Sequence, residues 1–413
     1  MNVFIFAEDY YFPLIGGITT HVHGLARALI AAGCGVQVMT TCKLPPGKNL
    51  TTWNVRRIIR DGVPVIEVPV LYSPRNLLVK AQQRFRFARL AKLEMKRMNA
   101  DLFHWHNIYF DPDVARYVNG SSAMVFTNHS SQFLAGIIDE SQGKRLFDTF
   151  NYAHRVIAPS QELLDASRRL GYPGEFSCYI PNGVDIHRFR PDQEFKTESR
   201  AKLNIPDDGI VLFCPRRVVP KCGIIHLAKA LQLVKNKHRM IVYFTGFGEM
   251  ENTPDLNRFI DYEDEVRRVL SSVASNVEVR LLTQIPNEEM LVYYHAVDIS
   301  ILPSLVEATS ISGLESMACG LPLIGSSVGG IPDLIEHNSS GILVTPADPR
   351  ALAMAIDTLT EHPEMRSAMG IRARQIACDR FAWATIAQKT MEVYAEAVVA
   401  YRENGQYRAV YGS

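Results

Sequence analysis

Ile299-Ser-Ile-Leu-Pro-Ser-Leu-Val-Glu307-Ala-Thr-Ser-Ile-Ser-Gly-Leu-Glu315-Ser-Met-Ala-Cys319 reads as a short apolar strand, a polar loop and the opening of a helix. The strand is expected over Ile299 to Ser304 and the helix from Leu314 to Cys319. Thr309, Ser310 and Ser312 carry side-chain oxygens suited to a helix cap. The free N–H groups at such a start attract anions through hydrogen bonds and the helix dipole. Glu315 falls in the expected first turn and Glu307 in the loop before it. Two carboxylates beside an anion site suit a ligand with both phosphates and hydroxyls, such as a nucleotide carrying a sugar. Alone, Glu315 reads as no more than a first-turn acid favoured by the dipole.

The same strand-then-helix alternation extends outward in both directions. Val3–Ala7, Val36–Thr41, Val63–Val70, Leu102–His106, Met124–Asn128, Arg155–Ala158 and Cys178–Ile180 are expected strands, several of them continuous apolar runs. Such runs mark strands buried on both faces of a parallel sheet. Phe189 to Pro206 breaks the pattern with prolines and charges, and the alternation restarts at Ile210–Cys214. The 413 residues exceed what one core normally absorbs. The expectation is an α/β protein of two doubly wound, Rossmann-like parallel-sheet domains facing a cleft. The first would span residues 1–192 and the second 193–382. A helix over about 383–401 is expected to pack back on the first.

A second cluster of chemistry follows the strand Ile210–Cys214: Phe213-Cys-Pro-Arg216-Arg217-Val-Val-Pro-Lys221-Cys-Gly223. Cations at the carboxyl end of a strand are poorly placed for a core and well placed for phosphate. Arginine offers a planar fork and lysine a mobile point charge. A solvated basic turn is the plainer alternative. Gly246-Phe-Gly248 lacks the third glycine of a dinucleotide fingerprint and is a weak nicotinamide signal. His104 and His106 end a strand with both imidazoles on one face. That spacing suits a metal, but no third ligand follows in an evident pattern; lining an acceptor pocket or packing at the sheet end are the other readings.

With these motifs in order, the chain resembles the family-4 retaining glycosyltransferases of GT-B fold along nearly its whole length. Ile15-Gly16-Gly17 is similar to the family's N-terminal glycine loop, and Ile180-Pro-Asn-Gly-Val-Asp185 to its interdomain strand end. Arg216 and Lys221 have the spacing of its diphosphate-holding pair. Tyr243-Phe-Thr-Gly246-Phe-Gly248 is similar to its glycine turn, and Glu307 and Glu315 to its two glutamates with seven residues between them. Ser326-Ser-Val-Gly-Gly-Ile-Pro-Asp-Leu-Ile-Glu336 and Ser340-Gly-Ile-Leu-Val-Thr-Pro346 resemble its closing segments. One departure is the extra residue between Lys221 and Gly223. It leaves open which of Arg216 and Arg217 meets the phosphate, with Arg216 favoured on spacing.

The resemblance implies roles. Glu307 would hold hydroxyls of the transferred sugar and Glu315 the ribose diol. The amides around Ser310, Ile311 and Ser312 would receive the diphosphate. Gly16, Gly17 and Gly246 would let backbone approach the donor. His129, after the strand ending Thr127-Asn128, would contact the donor sugar and organise the reacting centre. His104 and His106 are placed on the acceptor side. The donor would be a nucleotide diphosphate sugar, a UDP-sugar by preference over a GDP-sugar. The acceptor hydroxyl would belong to a glycan, a lipid-linked sugar or a small molecule. No metal or other cofactor is expected, because Arg216 and Lys221 supply the positive charge. A nicotinamide oxidoreductase and a non-catalytic sugar-nucleotide binder are the rival classes.

Bulk properties narrow the partners. A net charge of +1 argues against a whole-chain nucleic-acid binder. Apolar residues at 47% and charged residues at 21% match a soluble globular protein. Cys34, Cys42, Cys178, Cys214, Cys222, Cys319 and Cys378 are odd in number and scattered, as reduced thiols of a cytoplasmic protein are. Met1-Asn-Val-Phe-Ile-Phe-Ala-Glu-Asp9 reads as a strand and not as a signal peptide. No apolar run is long enough for a spanning helix. Arg75 to Arg97 carries eight Lys or Arg and one Glu. On a wheel Arg75, Arg86, Arg89, Lys92, Lys96 and Arg97 gather on one side, with Leu77, Ala81, Phe85, Ala88, Ala91 and Met95 opposite. A solvated basic face and peripheral contact with the cytoplasmic membrane are both open readings.

Overall fold

The computed structural model describes residues 1–8, 10, 16–44, 55–71, 77–106, 111–130, 134, 150–169, 176–248 and 259–404. Ile15 and Arg75 lie outside them. The chain divides into two compact units: Met1–Gly183 with Trp383–Ser413, and Val184–Ala382. The division falls nine residues before the expected boundary at 192/193. The reason is local: Val184 N–H donates to Phe381 O, and Arg374 donates to the carbonyls of Ile186 and Phe189. Phe189 is buried against Tyr294. The stretch from Val184 to Arg190 therefore belongs to the second core.

The first unit is one eight-stranded sheet. In chain order its strands are β1 (Asn2–Phe6), β2 (Gly35–Leu44), β3 (Arg56–Arg60), β4 (Val63–Leu71), β5 (Leu102–Trp105), β6 (Ala123–Thr127), β7 (Arg155–Ala158) and β8 (Ser177–Tyr179). They lie side by side as β3-β4-β2-β1-β5-β6-β7-β8. All neighbours are parallel except β3 and β4, an antiparallel hairpin that the sequence reading missed. Its turn is Asp61-Gly62, both at positive φ, as a two-residue hairpin with right-handed twist requires. The helix Trp383–Asn404 shares this unit's core: Ile386, Ala387, Tyr394 and Ala397 are buried with Val3, Ile5 and Leu102. Its first residue, Trp383, rests where Gly24 and Gly183 have no side chain. A Cβ on Gly24 would stand 2.1 Å from the indole.

The second unit holds six parallel strands: β9 (Ile210–Cys214), β10 (Met240–Phe244), β11 (Val277–Leu281), β12 (Ile299–Leu302), β13 (Leu323–Ser326) and β14 (Gly341–Val344). Their order is β11-β10-β9-β12-β13-β14. Strand order reverses between β9 and β12, which pair directly through Ile299↔Leu212 and Ser300↔Phe213. In doubly wound sheets, ligands bind beyond the carboxyl ends of strands at this reversal. The loops after β9 and β12 carry the two motifs singled out in the sequence, so the topology joins them.

Candidate active site

At the switch point of the second unit, Arg216 follows β9 and turns inward. Its guanidinium forms an ion pair with Glu307 and lies 3.5 Å from Ser310 Oγ and 3.7 Å from Cys222 Sγ. Both charged side chains are largely withdrawn from water, at 14% and 12% exposure. Burial is the largest influence and disfavours the guanidinium's charge, but Glu307 together with Cys222 and Cys214 outweighs it and the pKa rises, so Arg216 stays protonated. Its Nε is buried with no hydrogen-bond partner among the described residues, leaving a donor for a bound ligand. Arg217 is exposed. The two arginines thus have different surroundings, and the one that turns inward is the one favoured on spacing.

Lys221 sits on the short turn Pro220–Cys222. Its carbonyl accepts from Leu305 N at 2.8 Å and Val306 N at 3.2 Å, which ties it to the loop carrying Glu307. Loss of hydration, then the nearby Arg217 and Arg216 charges, hold its ammonium below the usual lysine range. The extra residue before Gly223 has a structural consequence. Gly223 takes φ 68°, and a Cβ there would lie 1.9 Å from Pro303 O. Glycine is needed where the two loops touch, and the inserted Cys222 is buried with its sulfur against Arg216.

The helix after β12 spans Ile311–Ala318, starting earlier than expected. Ser310 is the cap: its hydroxyl accepts from Gly313 N at 3.1 Å and contacts Ser312 Oγ at 3.2 Å. The amides of Ile311 and Ser312 have no acceptor among the described residues, as is usual for a first turn. Glu315 is consequently not a first-turn acid but lies one turn deeper. It is buried, accepts a 2.8 Å hydrogen bond from the Tyr294 hydroxyl, and has its pKa pushed up to about 7. Burial is the main cause, partly offset by Tyr294, Arg188 and Asn287.

Sequence reasoning did not single out what fixes Glu307 itself. Gly330 N donates to Glu307 O, and Gly329, at φ 57°, leaves no room for a side chain: a Cβ would fall 1.5 Å from that oxygen. The Gly-Gly of the closing segment was the signal. Gly246, after β10, has φ 83° and backs onto Arg217 Cα, so the glycine turn supports the arginine loop.

In the first unit, Gly16 caps the helix Gly17–Ala31 at φ 91°, a conformation that favours glycine, and both Gly16 and Gly17 are exposed. The same helix contributes His21, which the sequence reading missed. Four imidazoles gather here. His104 is fully buried and both its nitrogens are taken, Nδ1 by the Tyr394 hydroxyl at 2.6 Å and Nε2 by Thr127 Oγ1 at 2.7 Å. His106 is also fully buried, with Nδ1 3.2 Å from His129 Nε2. Both His104 and His106 are withdrawn from the surface, with His106 against His129, which is partly exposed. The missing third imidazole of the sequence argument is present too. His21, His106 and His129 each offer a ring nitrogen, all within 4.8 Å of one another. Burial lowers the pKa of all four. The value for His21 falls to about 4, and His104, His106 and His129 are further depressed by neighbouring imidazoles.

Two family models match. The one described as glycosyl transferases group 1 covers residues 195–376, and glycosyltransferase family 4 covers residues 15–188. The chain belongs to the family-4 glycosyltransferases and has the GT-B fold. A D-inositol 3-phosphate glycosyltransferase of Streptomyces bingchenggensis is 28% identical over 63% of this chain and 56% of its own length. Among solved structures, sucrose-phosphate synthase from Thermosynechococcus elongatus has a TM-score of 0.77 at 23% identity, covering 97% of this chain and 99% of that one. Anabaena HepE in complex with UDP and glucose gives 0.72 at 18%, covering 96% and 99%.

Proposed function

We propose that this glycosyltransferase moves a sugar from a UDP-sugar to an acceptor hydroxyl with the anomeric configuration retained, and that it does so without a metal. The observation that carries the reading is the Arg216–Glu307 pair, joined to Lys221 and the helix start at Ser310 across one switch point. As the glycosidic bond to the diphosphate breaks, negative charge grows on the leaving group. Arg216, Lys221 and the free amides of Ile311 and Ser312 would meet it. Such preorganised electrostatic stabilisation is usually the largest catalytic term. Glu307, held by Arg216 and by Gly330, would accept from hydroxyls of the sugar. Glu315 would accept from the ribose diol with the oxygen that Tyr294 leaves available. In the first unit, His129 would face the transferred sugar, fixed from behind by His106.

A UDP-sugar is favoured because the HepE structure of the same fold binds UDP and glucose. Retention would follow from front-face attack, with the leaving phosphate taking the acceptor's proton. The acceptor would be a glycan, a lipid-linked sugar or a small molecule, and the reaction would take place in the cytoplasm. The test is a thermal-shift screen of UDP-, GDP-, ADP- and TDP-sugars and NAD, repeated with EDTA and with Lys221→Ala. Stabilisation by UDP-sugars, unchanged by EDTA and weakened in the variant, is expected. Stabilisation by NAD alone would overturn the reading. Stabilisation by a sugar nucleotide without transfer or slow donor hydrolysis would leave a binder and not an enzyme.

A further inference from the structure

The helix Leu77–Arg97 does not present its faces as the wheel suggested. Its buried side is Gln83, Phe87, Ala88, Ala91, Glu94 and Met95. Phe85 is not on that side: it is 58% exposed, as Leu93 is at 47%, in one stripe with exposed Arg86, Arg89, Lys92 and Lys96. The stripe continues onto neighbouring elements. Phe85 meets Tyr117 edge-on with ring centroids 5.6 Å apart, and Lys92 Nζ lies 5.3 Å over the same ring. On the helix's buried side, away from the stripe, Arg57 of β3 pairs with Glu94 at 2.8 Å. Glu94 also pairs with Arg97, so the helix's acid is spent on two arginines.

We infer that this face docks on an anionic phospholipid membrane surface. A merely solvated basic face leaves its cations in water and has no use for large exposed apolar side chains among them. Here Phe85 and Leu93 stand inside the cationic stripe, as interfacial helices place apolar side chains to enter beneath lipid headgroups. Tyr117 adds an amphipathic ring of the kind enriched at that depth. Charge complementarity selects anionic headgroups, each nearby cation strengthening the attraction. A single-stranded nucleic acid would use the cations and stack on the aromatic rings, but the aliphatic Leu93 offers its bases nothing to stack on. The surface goes beyond the transferase reading and does not depend on it.

The test is co-sedimentation of the full chain with vesicles of phosphatidylcholine alone and of phosphatidylcholine mixed with phosphatidylglycerol. Binding only to the mixed vesicles, weakening with added salt, is expected. Arg86→Gln/Arg89→Gln/Lys96→Gln should lower the partition coefficient by roughly two orders of magnitude. Phe85→Ser/Leu93→Ser should lower it by about tenfold or more. Both variants should keep the wild-type melting temperature and donor hydrolysis, so lost binding is not lost folding or lost chemistry. Equal partition onto both vesicles, wild-type partition by the variants, or tighter binding to single-stranded RNA than to the mixed vesicles would overturn the proposal.

Discussion

Arg216 and Glu307, 91 residues apart in sequence, form an ion pair beyond the carboxyl ends of β9 and β12. Each comes from a different loop, and the pairing exists because those two strands are neighbours at the point where strand order reverses. The pair therefore reports on both loops at once.

Removing one partner should cost more than a contact. Arg216→Ala leaves the Glu307 carboxylate withdrawn from water with no counter-charge, and should destabilise the second unit by about 3 kcal/mol. Turnover should fall by roughly two to three orders of magnitude, the cost of losing one donor to a developing charge. Denaturant unfolding and kcat measured on the same sample check both. Arg216→Lys should recover more stability than turnover, because lysine restores charge without the planar fork.

Gly329→Ala should act on Glu307 from outside the site. The added methyl would meet Glu307 O at 1.5 Å, and φ 57° is strained for alanine. We expect a stability loss of roughly 2 kcal/mol or more. Donor binding, read as a nucleotide-sugar thermal shift, should weaken with it. Gly62→Ala, where a positive φ of 82° meets no atoms within 4 Å, serves as the control for strain alone.

The buried imidazoles should make the first unit acid-labile. Their folded pKa values are depressed, that of His21 to about 4 against an ordinary value of 6.5. The unfolded chain thus takes up protons first as pH falls. The stability they contribute is present above about pH 6.5 and is lost as pH drops toward 4. Trp105 and Trp383 belong to the first unit, so their fluorescence reports on it. The expected result is a fluorescence transition inside that window, shifted to lower pH by His21→Gln.

Glu315 should give the second unit the opposite dependence. Its folded pKa, about 7, lies above the ordinary value of 4.5, so the folded state holds its proton while the unfolded state releases it. The stability tied to that proton is full below about pH 4.5 and is lost as pH rises through 7. Glu315→Gln should therefore be more stable than wild type at alkaline pH by an amount on the order of 2 kcal/mol, and indistinguishable in acid. Paired unfolding curves of apo protein at the two extremes measure the difference.

What the sequence made legible follows from what is local. Continuous apolar runs such as Ile210–Cys214 and Val3–Ala7 marked buried parallel strands, and Glu307 and Glu315 stayed together on the loop and helix after one strand. β3 escaped because Arg-Arg-Ile-Ile-Arg alternates neither cleanly nor over enough residues, although Asp61-Gly62 was a hairpin signal. His21 escaped because it lies on a helix 83 or more residues from His104, His106 and His129, and no local pattern links them. The orientation of Phe85 escaped because a wheel assumes one buried arc, while this helix buries Gln83 and Glu94 instead. The burial of His104 depended on Tyr394, 290 residues away, which no local pattern contains.

The most direct measurement is NMR of the anomeric proton during slow hydrolysis of a UDP-sugar by the enzyme, recorded before mutarotation. The account predicts that the released sugar first appears with the donor's own anomeric configuration, and that the signal is lost in Lys221→Ala. First appearance of the opposite anomer, or undiminished release by the Lys221 variant, would contradict it.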